Sequence, residues 1–300
     1  MKISMGTWAF SFGPYAENPV PLPTIAEALA RAGYDGVELG GFPPHVTLEA
    51  YATAAERQSL RAMLHELGLG VSGYAADFSG VNPTVPGNHE RYVELFKQHL
   101  ELCVDLESPM IRVDTVAAPG SLDDDDYHAA LYRVADIWRD CAELARAAHV
   151  LIAWEFEPGF IFNKPSEVVT MHDRVGHPSF QLLFDTCHAY MTSVVGARHH
   201  KRKELLDGGV EELIEMLDSR IGAVHVIDSD GTLHGGETST HCPLGQGAIV
   251  WDHVAPKLLA VPHIEWWCVD LCFWPGAWDQ VGSSLEFVRK LTQKSAARRA

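Results

Sequence analysis

The chain has no CxxC pair, no apolar stretch approaching the ~18 residues of a membrane span, and too few basic residues to balance its acids. Its six cysteines (Cys103, Cys141, Cys187, Cys242, Cys268 and Cys272) are scattered. A chain of 300 residues can build a core without cross-links, so reduced thiols and a cytoplasmic setting are expected. Lys and Arg number 23 against 40 Asp and Glu, a net charge of −17, which argues against partners held through phosphates; no nucleic acid is expected. The opening MKISMGTWAF lacks the basic start, apolar middle and small-residue cleavage site of a leader peptide, and reads as a strand. No membrane association is expected. No GxGxxG follows that strand, where WAFSFGPY stands instead, and this disfavours an open dinucleotide-binding sheet. The one basic run, ARHHKRK at 197–203, reads as a solvated loop or helix start.

What is present is alternation. Short β-branched, apolar segments are expected as strands at Lys2–Trp8, Gly36–Gly41, Gly70–Asp77, Met110–Thr115, Val150–Glu157, Phe180–Asp185, Ile221–Asp228 and His263–Cys272. Amphipathic stretches between them predict helices at Pro23–Ala32, Leu48–Leu67, His89–Leu106, Asp124–His149, Ser166–Val175, Lys203–Leu217, Trp251–Leu259 and Ala277–Lys294. Eight β-then-α repeats without a compositional break predict a (β/α)8 TIM barrel, one domain over residues 1–300. Ser193–Lys203 is extra to the repeat and is expected to be a rim loop that covers a site or meets a partner.

In such a barrel the chemistry gathers where strands end. Strand two ends near Glu38, strand three at Asp77 and strand four at Asp114. Strand five ends in WEFEPG with Glu155 and Glu157, strand six in DTCH with Asp185 and His188, strand seven in HVID with His225, and strand eight in CVDL with Asp270. A single strand-end carboxylate is more often a helix cap or a loop hydrogen-bonder. Four consecutive strands ending in Glu, Asp, His and Asp are better explained by a divalent cation, which offsets the cost of burying that charge. Glu155 and Glu157 share parity and can both face the axis; Asp270 shares parity with Cys268, whereas Glu265 belongs to the strand's far end. Three carboxylates and one imidazole suit Mn²⁺ or Mg²⁺ better than a structural zinc, although Co²⁺ or Zn²⁺ can occupy such a set.

The residues GYDGVELGG at 33–41, WEFEPGF at 154–160, FDTCHA at 184–189, AVHVIDSD at 223–230 and PLGQGAIVWD at 243–252 resemble the xylose isomerase-like barrel superfamily of sugar isomerases and epimerases, over nearly the whole chain. The resemblance implies one metal, with Mn²⁺ the leading expectation, held by Glu155, Asp185, His225 and Asp270. Three positions depart from the family pattern. Phe156 stands where Asn often follows the strand-five glutamate, leaving Glu157 as a rival ligand; Asp270 is one methylene shorter than the usual Glu; and TLHGGETSTHCP at 232–243 is long, supplying His234 and His241.

The resemblance implies proton abstraction next to a sugar carbonyl through an enediolate, with Glu155 or Glu157 as base and His188 or His241 as a second acid/base group. Trp8, Phe10, Trp266 and Trp274 are candidate apolar walls for the sugar, or else simple packing. The alternative is a lyase, expelling a group β to the carbonyl, as in sugar dehydratases and the catalytic subunits of 3-oxo-C-glycoside deglycosidases, which resemble this barrel. That branch implies a small partner subunit over the rim; the wider family implies a homo-oligomer. Abasic-site endonucleases also resemble the chain at DxxH and HxxDS, but Asp77 and Asp114 stand where they carry metal-binding histidines. A non-catalytic binding subunit fits poorly with an intact acidic constellation.

Overall fold

A computed structural model describes residues 1–299, with side chains through residue 294. Eight parallel strands close into a barrel: β1 (Lys2–Gly6), β2 (Gly36–Gly40), β3 (Gly70–Ala75), β4 (Met110–Val113), β5 (Leu151–Glu155), β6 (Phe180–Asp185), β7 (Ile221–Val226) and, after an excursion, β10 (Trp266–Val269). Around the barrel the order is β1-β10-β7-β6-β5-β4-β3-β2. The excursion is an antiparallel hairpin, β8 (Asp228–His234) and β9 (Thr238–Cys242). Helices α1 (Leu22–Ala32), α2 (Ala54–Glu66), α3 (His89–Asp105), α4 (Asp124–Ala147), α5 (Pro165–Val175), α6 (Thr186–Tyr190), α7 (Gly209–Leu217), α8 (Trp251–Leu258) and α9 (Val281–Arg299) complete the element order.

All eight expected strands and their helices are found, with shifted ends. The second helix starts at Ala54 rather than Leu48, because Thr53 and Glu56 form a reciprocal capping box that fixes its first turn. The helix expected from Lys203 starts at Gly209, and most strands stop one or two residues early, where the chain turns into the rim loops. The long loop at 232–243 is the hairpin, which folds back so that β9 faces the barrel mouth.

Strand alternation divides the core in two. Outward side chains such as Trp154 and Phe180 pack under the helices, where Trp138 of α4 lies 5.4 Å from each ring. Inward side chains Met110, Ala153 and Leu183 form a small apolar plug inside the barrel. One pleat period further along the same strands stand Arg112, Glu155 and Asp185, so the same parity that fills the barrel floor aims these groups into its mouth. Pairing of Asp185 with His225 and of His225 with Cys268 sets β6, β7 and β10 level at this height.

Candidate metal centre

Donor atoms of Glu155, Asp185, His225 and Asp270 all lie within 4.8 Å of one another, and all four side chains are buried. The strand ends therefore bring together the four expected residues. Each is tethered on one side and open on the other. Glu155 Oε2 accepts from Arg112 Nε at 2.6 Å, and Asp185 Oδ1 accepts from the His188 backbone N–H at 2.8 Å. Asp270 Oδ1 accepts from Trp8 Nε1 at 2.8 Å and from the Cys272 N–H at 2.9 Å. His225 Nε2 lies 3.1 Å from both oxygens of Glu38, which fixes the ring and leaves Nδ1 facing the cluster.

The opposite atoms, Glu155 Oε1, Asp185 Oδ2 and His225 Nδ1, are buried and have no hydrogen-bond partner among the described residues. His225 Nδ1 is 3.2 Å from Glu155 Oε1 and 3.5 Å from Asp270 Oδ2, yet the ring is not aligned for a hydrogen bond. Together with Asp270 they form one group whose ligand atoms lie within 4.8 Å of one another. Buried polar atoms are almost always paired, so unpaired donor atoms brought together from separate strands fit a divalent cation. The donor chemistry, three carboxylate oxygens and one imidazole nitrogen, fits a divalent ion of Mn²⁺ or Mg²⁺ type.

The four groups shift one another strongly. Burial, with Asp270 and Glu155 nearby and despite His241, pushes Asp185 up to about 7. Although burial opposes ionisation, Arg112 and His225 hold Glu155 well below the usual carboxylate range, and His241 and His225 do the same for Asp270. Burial disfavours the charged imidazole of His225, but Glu38, Asp270 and Glu155 raise it well above its ordinary value.

Glu157 stands outside this tetrad. Its Oε2 accepts from the Thr238 hydroxyl, Oε1 lies 3.6 Å from Arg112 Nη2, and burial together with Glu155 pushes it up to about 7. His188 Nδ1 bonds Ser239 Oγ at 2.8 Å, so Nε2 points at Glu155 and Glu157, 4.0 and 3.9 Å away. Burial and the neighbouring His241 push His188 down to about 3. His241, on β9, lies 3.4 Å from Asp270 and 3.9 Å from Asp185, and both its ring nitrogens are buried without a hydrogen-bond partner among the described residues. Burial opposes its protonation, but Asp270 and Asp185 raise it to about 9.

Other expectations are revised. Of the candidate walls only Trp8 lines the central cavity. Phe10 packs against Tyr15 and Trp278, Trp266 sits at the opposite end of the barrel, and Trp274 packs against the core. His234 stacks on Phe273 at 4.5 Å rather than facing the tetrad, while Glu265 pairs with Lys2 at the strand's far end, as parity suggested. The basic run at 197–203 is not merely solvated: Arg198 donates to the Pro158 and Glu237 carbonyls and lines the cavity, and His200 stacks on Tyr127.

Arg112 escaped the sequence reading, although its parity with Asp114 on a strand that alternates inward and outward marks it as inward-facing. Glu38 appeared there only as a strand end. The GQG loop is structural: Asp228 accepts from the N–H groups of Gly245 (2.9 Å) and Ile249 (3.1 Å) and from Trp251 Nε1 (2.8 Å). A Cβ on Gly247 would lie 2.3 Å from Asp228 Oδ1, so this close approach requires glycine.

A closed (β/α)8 barrel with a buried His/carboxylate cluster at its C-terminal rim is the class that fold and site define. The chain belongs to the xylose isomerase-like TIM barrel family, whose model matches residues 26–291. No curated protein matches the sequence. Among solved structures, the chain is similar to D-psicose 3-epimerase from Clostridium cellulolyticum H10, with TM-score 0.72 and 15% identity over 97% of this chain and 99% of that one. It is similar to a probable 3-DHS dehydratase, AsbF, from Bacillus anthracis, with TM-score 0.72 and 16% identity over 96% and 99%. It also covers 44% of a longer xylose isomerase-like TIM barrel/4-hydroxyphenylpyruvate dioxygenase fusion protein, with 99% of this chain aligned at TM-score 0.73 and 17% identity. No helix among the described residues is long and apolar enough to cross a membrane.

Proposed function

We propose that the protein is a divalent-metal-dependent sugar isomerase or epimerase that removes a proton next to a carbonyl. The observation carrying this reading is the convergence of the orphaned atoms Glu155 Oε1, Asp185 Oδ2 and His225 Nδ1 on one buried point beside an open cavity. Glu155, Asp185, His225 and Asp270 would hold the metal, Mn²⁺ by preference. When bound, the metal supplies Lewis-acid polarisation of the substrate carbonyl.

The chain's own groups then divide the proton work. Both oxygens of Glu155 are committed, one to Arg112 and one to the cluster, so Glu157 is the better base. It takes the proton from the carbon beside the carbonyl, the electron pair moves toward the carbonyl oxygen, and an enediolate results. His241, which carries a proton beside Asp270 and Asp185, is the group placed to return one, while neutral His188, held by Ser239 with Nε2 facing Glu157, can only relay the proton that Glu157 has taken.

A second reading, elimination, is favoured by one feature. Asp270 Oδ1 is fixed by Trp8 and Cys272 and Oδ2 faces the cluster 3.5 Å from His225 Nδ1, so neither oxygen is placed for proton transfer to a substrate. A proton delivered by His241 to a β-substituent as the bond from carbon to that substituent breaks would make the enzyme a lyase. The similar structures include both an epimerase and a dehydratase, and this supports keeping both reactions in view.

Incubating Mn²⁺-loaded protein in D₂O with ketoses and with 3-oxo-glycosides tests the proposal. Deuterium uptake into recovered sugar supports isomerase chemistry, aglycone release supports elimination, and neither outcome in either substrate series counts against both. The six free cysteines support a reducing, cytoplasmic setting.

A further inference from the structure

The cavity above the metal centre, about 420 Å³, is divided by chemistry. On one arc, the ends of β5 and β7, the loop after β5, the helix after β6 and the hairpin present Glu155, Glu157, His188, His225 and His241, with Phe160 and Arg198 beside them. On the other arc, the loops after β10, β1, β2, β3 and β4 present Phe273, Phe12, Phe42, Phe78 and Val116. The strand order places β10 and β4 four steps apart either way round, so Phe273 and Val116 stand on opposite sides of the mouth.

The apolar arc is built rather than incidental. Phe12 packs edge-on against Phe42 at 5.2 Å and stacks with Phe273 at 5.8 Å, which is backed in turn by His234. Phe273 and Val116 both have left-handed backbone conformations, φ 62° and 60°. That region is unfavourable for bulky and β-branched residues and is tolerated only where the surroundings enforce it. The polar side chains on this arc lie toward the β3 and β4 ends, away from Phe12 and Phe273: Asp77 Oδ1 accepts from the Ser79 N–H at 2.9 Å, and Asp114 pairs with Arg112 and accepts from the Val116 N–H at 2.8 Å. A free sugar would leave the phenyl rings of Phe12, Phe42 and Phe273 with no apolar group against them.

We infer that the substrate carries an apolar group the size of an aromatic ring beside the oxygen-rich part that meets the metal, and that Phe12, Phe42 and Phe273 are the residues that select it. The inference rests on the metal-centred reading above and adds a substrate class to it: sugars or sugar-like carbonyl compounds bearing an aryl group.

Acetohydroxamate and benzohydroxamate test this directly, because both present a carbonyl and a hydroxyl oxygen to a metal and differ only in methyl against phenyl. In calorimetric titration of the Mn²⁺-loaded protein, benzohydroxamate is expected to bind about 30-fold more tightly, the effect of burying one phenyl ring. Phe12→Ala and Phe273→Ala should each cut that preference about tenfold with metal content unchanged; if Phe273→Ala does not fold, Phe42→Ala takes its place. Equal affinities for the two compounds, or binding of neither by protein that retains its metal, overturns the inference and leaves the metal reading intact. Wild-type protein that carries no metal and takes none up removes both.

Discussion

Replacing Arg112 with Met puts the electrostatic account of the site under the hardest strain. The guanidinium is buried and meets three carboxylates, Glu155 at 2.6 Å, Asp114 at 2.5 Å and Glu157 at 3.6 Å. Methionine fills similar space but leaves that charge uncompensated. Breaking a buried pair in this way costs about 3–5 kcal/mol, and at about 2–3 °C per kcal/mol for a large domain the melting temperature should fall by roughly 6–15 °C. The loss has a pH signature. Without Arg112 the carboxylates bind protons more tightly in the folded state than in the unfolded state, so the penalty is full above their folded pKa values and shrinks as the pH is lowered. Calorimetric melting of metal-free wild type and variant at pH 8 and pH 5.5 therefore reads both the size of the effect and its origin. A variant that melts within 2 °C of wild type at pH 8, or whose deficit is the same at both pH values, would refute the reasoning.

Three further outcomes are expected. Glu38→Gln keeps the shape but loses the carboxylate that holds His225 Nε2, and should weaken Mn²⁺ binding about 10–100-fold in competition titrations; unchanged affinity would show that His225 is oriented by something else. Asp228→Ala removes the acceptor for the loop at 245–251 and should cost about 3 kcal/mol, with faster amide exchange at Gly245 and Ile249; protection equal to wild type there contradicts the assignment. In the metal-free protein, Asp185 and Glu157 are raised to about 7 and His241 to about 9, so the folded state holds these protons more tightly than the unfolded chain. Their contribution to stability is present at low pH and is lost as pH rises through 7 and then 9, at up to about 1.4 kcal/mol per group per pH unit. Metal must displace the cluster's protons, so the melting-temperature gain from Mn²⁺ should widen between pH 6 and pH 8; a gain that does not change with pH speaks against proton-coupled binding.

Much of this architecture is legible in the sequence because a barrel repeats one local rule. Each apolar strand segment followed by an amphipathic helix is visible on its own, and alternation within a strand says which side chains turn inward. Glu155, Asp185, His225 and Asp270 were readable for that reason. The remainder depends on contacts across the barrel. Glu38 meets His225 from a strand 187 residues away, and Trp8 reaches Asp270 across 262 residues, separations at which no periodicity operates. Arg112 looks like one more residue of an apolar strand until three acids surround it. The hairpin was read as a loop because TLHGGETSTHCP is rich in glycine and threonine, and only its register, Ser229 opposite His241, brings His241 to the carboxylates. Parity leaves open whether Glu155 or Glu157 faces Asp185, His225 and Asp270, and contacts to Arg112 and Thr238 hold the two glutamates in different positions.

Metal analysis of the protein as purified, beside Asp185→Ala, tests the central claim most directly. The account predicts about one equivalent of divalent metal per wild-type chain, Mn²⁺ by preference, and a rise in melting temperature of the stripped protein when Mn²⁺ is restored. Both should vanish in Asp185→Ala, which loses a buried ligand oxygen with no other partner. Wild-type protein without stoichiometric metal and without a thermal response to Mn²⁺ would contradict it.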